Sequence, residues 1–251
     1  MVNWRWVGTG SELWHARVEI FVDDNSGRLV DAAARATSGL LDGGAPDTWR
    51  AGADQGIGLA EPVVGLVFSV AADSPGQAMQ TAVDVATEAL GSSGRGFFAA
   101  SVLPTSNIPD IAPAMSPNDP VSSPTTGPFE PGRWRWTGTG GERWHTRVEA
   151  CVDGDSAHLL ASAARAVSEQ LEHGDPADRG GRADQGTGIA APVVGLTFMV
   201  AADDPGQAAQ TAVDVAVRAL GADSRGLYGV SVFRASAAPG CPSEDYPPLM
   251  D

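Results

Sequence analysis

The chain of 251 residues contains no lysine: all sixteen of its basic residues are arginine. Without a side-chain amine there is no Schiff base, no pyridoxal lysine, no phosphate-loop lysine and no kinase-type lysine, so several large enzyme classes are excluded. Cysteine is almost as scarce. Cys151 falls in a predicted strand and Cys241 in a Pro-rich tail, which is no disulfide framework and too few thiols for a cysteine metal site. No apolar stretch approaches the ~20 residues of a membrane helix, and Met1-Val2-Asn3-Trp4-Arg5-Trp6 carries no apolar signal core. A cytoplasmic protein without membrane contact is expected.

Positive charge is short as well. Sixteen arginines oppose thirty-one acidic residues for a net charge of −15, spread over the chain with no basic stripe. Such a surface repels phosphate backbones, and nucleic acid is not an expected partner. Catalytic signatures are missing too: there is no G-x-S-x-G elbow and no H-E-x-x-H, and Gly8-Thr9-Gly10 precedes neither a helix nor a lysine. Neither a cofactor nor a metal is expected.

What the chain does contain is one module written twice. Residues 3–104 and 133–234 align at a constant offset of 130, and about 58 of 102 positions are identical. The domains expected are repeat 1 over 1–104, a Pro/Ser-rich linker with seven prolines over 105–132, repeat 2 over 133–234 and a flexible tail over 235–251.

Within repeat 1, Ala16 to Asp23 alternates as a half-buried strand, with Val18, Ile20 and Val22 on one side. Asp24-Asn25-Ser26 offers helix-capping side chains before a helical spacing of Leu29, Val30, Ala33, Ala34, Thr37, Leu40 and Leu41. Ala45 to Glu61 reads as a loop that has room for a short irregular strand. Pro62 to Ala72 is a buried strand, Asp73-Ser74-Pro75 opens a helix that Gly91 stops, and Gly96 to Leu103 is the last strand. Trp4 to Val7 precedes all this as an edge strand. The fold class expected is α+β: two tandem ferredoxin-like repeats, each with both helices on one face of an antiparallel sheet, paired as an intramolecular pseudo-dimer.

Three residue sets are candidates for ligand binding. His15, Arg17 and Glu19, with His145, Arg147 and Glu149, project from the helix-free face; if the two repeats pack sheet to sheet, these six meet in a shared interior where burial perturbs their pKa values. Six of the seven tryptophans fall at paired positions, Trp4, Trp6 and Trp14 with Trp134, Trp136 and Trp144, and tryptophan anchors interfaces and aromatic pockets. The Gly-flanked pairs Asp54-Gln55 and Asp184-Gln185 sit on a predicted loop, where they present a carboxylate and an amide or close turns on their own backbone. In the tail, Tyr246, Leu249 and Met250 are candidate anchors of a docking peptide.

The leading expectation is a non-enzymatic binding or interaction protein that holds a small ligand or a protein partner at the sheet faces. The layout resembles, at fold level, proteins of the dimeric α/β barrel type. That resemblance implies an alternative, a cofactor-free enzyme using His and Glu in a sheet-lined cavity. A structural or assembly role is the third possibility.

Overall fold

The computed structural model describes residues 5–23, 26–45, 50–55, 62–105, 134–152, 156–175, 180–185 and 192–234. Trp4, the tail residues Tyr246, Leu249 and Met250, and most of the predicted linker lie outside the described residues. The first half runs β1 (Trp6–Val7), β2 (Glu12–Val22), α1 (Gly27–Leu40), β3 (Gly52–Gln55), β4 (Val63–Ala72), α2 (Pro75–Leu90) and β5 (Gly94–Pro104). The second half repeats that order as β6 (Trp136–Gly138), β7 (Glu142–Val152), α3 (Ser156–Glu169), β8 (Arg182–Gln185), β9 (Val193–Ala202), α4 (Pro205–Leu220) and β10 (Ser224–Arg234). The molecule is therefore α+β, with ten strands and four α-helices among the described residues.

The alternation of β2 sorts its side chains onto two faces. Trp14, Ala16, Val18, Ile20 and Val22 are buried together with Leu66, Phe68 and Val70 of β4, while the odd-numbered residues point the other way. α2 closes over this core with Ala78, Met79, Ala82, Val83 and Ala86. Its start follows the sequence closely: Ser74 accepts a hydrogen bond from the Gln77 amide at 3.2 Å, and Pro75 occupies the first turn. Ser26 behaves differently, standing at the N-cap of α1 without a capping side-chain bond.

Two expectations about the sheet need correction. First, it is mixed rather than antiparallel throughout. The central pairings are antiparallel, but β1 runs parallel to β4 and β6 parallel to β9 at the two margins. The sharp turn from β1 into β2 explains Gly8-Thr9-Gly10: Gly8 has φ +93°, and a Cβ on Gly10 would strike the backbone of Ala72.

Second, the sheet-to-sheet packing that a shared interior for the six charged residues requires is not the arrangement found. β5 pairs with β10 in antiparallel register, Ser101 opposite Gly229 and Ala99 opposite Ser231. The result is one continuous sheet, ordered β1-β4-β2-β5-β10-β7-β9-β6, with β3 on β4 and β8 on β9. α2 and α4 pack on each other across this joint, with α1 flanking α2 and α3 flanking α4, so the described helices share one face. Each half leaves the backbone edge of its last strand unpaired, and β5 and β10 satisfy each other there.

Candidate functional site

The helix-free face carries two polar clusters, one in each half. On β2, Arg17 donates to Asp54 of β3 through Nη1 to Oδ2 at 2.8 Å and Nη2 to Oδ1 at 3.0 Å. The same guanidinium reaches Glu19 Oε1 through Nε at 3.2 Å and Nη2 at 2.8 Å. In the second half Arg147 donates to both oxygens of Asp184 at 2.8 Å and to Glu149 at 3.1 Å. Asp54 and Asp184 thus lie on short strands, not loops, and neither presents a free carboxylate nor closes a turn on its own backbone: each is engaged in a two-pronged bond that ties β3 or β8 to the sheet.

Glycine makes this possible. In register, Glu19 faces Gly65 and Gly65 faces Asp54, and a Cβ on Gly65 would stand 2.5 Å from Asp54 Oδ1 and 2.7 Å from Arg17 Nη2. Gly195 plays the same part for Arg147 and Asp184. A strand glycine costs backbone entropy, and here the missing side chain is the space in which the ion pair lies.

Each cluster holds one cation and two carboxylates. Burial pulls the pKa of Arg17 down, but hydrogen bonds and attraction from Asp54 and Glu19 outweigh it and hold it above the usual value. The hydrogen bonds that Arg147 donates to Asp184 act most strongly on its pKa, in the same upward direction. The histidines move the other way: burial, then Arg17, lowers His15, and burial with Arg147 takes His145 down to about 4. Both imidazoles are neutral at physiological pH.

Between the clusters the helix-free face is lined by small residues. β2 and β7 are separated by β5 and β10, a span of three strand spacings or ~14 Å. Across it, Glu19, Ala99, Ser231 and Arg147 form one row in register, and Arg17, Ser101, Gly229 and Glu149 the next. The charges cross over from row to row, as a local two-fold relation requires.

The tryptophans divide into separate roles. Trp14 and Trp144 lie on the helix-covered face, 4% and 3% exposed, with their indole N–H groups donating to the Ala72 and Ala202 carbonyls at 3.3 and 3.1 Å. They are core residues and do not reach the helix-free face. Trp134 does: its ring meets His145 edge-on at 6.2 Å, with the Arg182 guanidinium 5.5 Å from its centroid. Trp136 has the Arg143 guanidinium over its ring, 3.7 Å from the centroid, and the His173 ring tilted against it at 5.7 Å. In the first half Gly43 takes the place of His173, and a Cβ there would enter the Trp6 indole. Gln55 and Gln185 end β3 and β8 with their side chains exposed.

Sequence reasoning missed the stacking residues Arg143, Arg182 and His173, and the row Ala99, Ser101, Gly229, Ser231. The three stacking residues have no motif; the row is visible only once the joint between β5 and β10 is known. Among the described residues no group of three or more His, Cys, Asp or Glu is arranged to hold a metal, and no helix is long and apolar enough to cross a membrane.

No protein-family model and no curated protein matches the chain. A solved structure from Fusobacterium nucleatum subsp. nucleatum, bearing a provisional monooxygenase name, is similar at 7% identity and a TM-score of 0.27, covering 90% of this chain and 94% of its own. A score that low supports neither fold nor activity.

Proposed function

We propose that this is a non-enzymatic binding protein, an internally duplicated pseudo-dimer of ferredoxin-like units that holds a small ligand on its helix-free sheet face. The order β5-β2-β4-β3, with both helices on one side, supports the ferredoxin-like reading of the first half, and the 130-residue offset of each element supports the duplication. The observation that carries the functional reading is the small-residue floor between two Arg–carboxylate clusters. It is a platform for a flat molecule, with backbone and serine hydroxyls beneath it and fixed charges at both sides.

The enzymatic alternative draws less support from the same geometry. His15 and Glu19 lie four residues apart on one strand, ~13 Å, with Arg17 between them. No proton passes directly between groups so placed. Arg17 and Arg147 are each ion-paired to two carboxylates and stand as framework.

A thermal-shift screen of metabolites and hydrophobic compounds on the full chain tests the reading. A true ligand at a hundred times its Kd adds about 2.7 kcal/mol of stability. That gain should vanish in Ser101→Trp and Ser231→Trp, which fill the floor. Stabilisation that survives both substitutions, or no stabilising compound at all, overturns the proposal.

A further inference from the structure

We propose a second site: an anion-binding cleft beside α1 of the first half that takes a small molecule bearing phosphate or pyrophosphate. The cleft, of about 460 Å³, is lined by Arg5, Ala34, Arg35, Ser38, Gly39, Arg50 and Ala51. Its volume falls within the range of small-ligand sites, ~300–1,000 Å³. Three arginines line it and, among the described residues, no acidic side chain does, in a chain whose net charge is −15.

The state of these arginines separates them from Arg17 and Arg147. Among the described residues, none of the three makes an ion pair, although Asp31 lies one helical turn before Arg35. Arg5 donates through Nη2 to the Leu41 carbonyl, which fixes the position of its guanidinium without neutralising it. Planar guanidinium forks match phosphate oxygens two at a time, and three of them suit a ligand with several negative charges.

The second half supplies an internal control. The same positions there are Arg135, Ala164, Arg165, Ser168, Glu169, Gly180 and Gly181, so one arginine is lost and one carboxylate gained. Arg135 is occupied by two backbone carbonyls, of Ser168 at 3.2 Å and of Leu171, and the Ser168 hydroxyl bonds to the Ala164 carbonyl at 2.8 Å. Among the described residues the Ser38 hydroxyl has no such partner and is available to a ligand.

Titration of the full chain with inorganic pyrophosphate at fixed ionic strength, followed by calorimetry and by amide shifts, tests this. Binding should be saturable, with the largest shifts at Ala34, Ser38, Gly39 and Ala51 and none at Ala164 or Ser168. Arg35→Gln, Arg50→Gln and Gly39→Glu should each weaken it about tenfold or more, as expected for loss of a charge-assisted bond or gain of a repelling carboxylate. Arg165→Gln should leave it unchanged. Arg50 and Gly39 are exposed, so these variants keep the fold and unfolding curves verify it. Absence of saturable binding, equal loss in Arg165→Gln, or citrate binding as tightly as pyrophosphate overturns the assignment. None of these results depends on whether the sheet face binds a ligand.

Discussion

Thr37 is buried to 0% exposure in α1, with a hydroxyl that has no hydrogen-bond partner among the described residues, and the second half carries Val167 at the same place. An unpaired buried hydroxyl costs about 1–2 kcal/mol, so Thr37→Val should stabilise the protein by that amount in urea denaturation. Gly65→Ala should act in the opposite sense. Its Cβ enters the Arg17–Asp54 pair, and a loss of about 1–3 kcal/mol is expected by the same measurement. His145 gives a pH signature. Its folded pKa, about 4, lies below the ordinary 6.5, so below pH 6.5 the unfolded chain takes up a proton that the native state refuses. Stability should fall as pH drops from 6.5 toward 4, and His145→Gln should flatten that slope. At this scale the sequence was partly legible: the period of two put His15, Arg17 and Glu19 on one face, but the same parity places Trp14 on the other, inside the core. The expectation grouped the tryptophans by recurrence along the chain, and recurrence does not specify a face.

Elements with strong periodicity or capping were legible to within a few residues. β2, β4 and α2 carry unbroken apolar patterns and a Ser-Pro start. β3 was not, because Gly52-Ala53-Asp54-Gln55 has no apolar alternation; pairing with β4 and the Arg17–Asp54 bond hold it in strand form. The α2–α4 seam was equally hidden. A Cβ on Gly76 would strike the Asp214 carboxylate, and one on Gly206 the Asp84 carboxylate, so each helix start lies against the middle of its partner. Gly76→Ala should therefore cost about 1–3 kcal/mol, and adding Asp214→Ala should recover part of it, a coupling that a double-mutant cycle reads directly. At the rim of this seam burial and Asp204 raise Asp84 to about 6. Between pH 4 and 6 the native state holds a proton there that the unfolded chain releases, so this carboxyl lowers stability as pH rises, opposite to His145. Asp84→Asn should remove that component from the pH profile.

At the scale of the molecule, composition and repetition gave two similar halves, but not their arrangement. A face-to-face pair and an edge-to-edge pair need the same alternation in every strand; what distinguishes them is the hydrogen bonding between Ala99–Val102 and Tyr228–Ser231, which leaves no trace in hydropathy. That joint turns two small sheets into one and makes the floor between the clusters a single surface. Amide hydrogen exchange along β5 and β10 tests it most directly. If the sheet is continuous, the bonded amides within 99–102 and 228–231 should be protected to the same degree as those of β2 and β4, opening only with global unfolding. Rapid exchange at these positions while β2, β4, β7 and β9 stay protected would mean that the halves are separate bodies, and the single surface on which the proposed binding site rests would not exist.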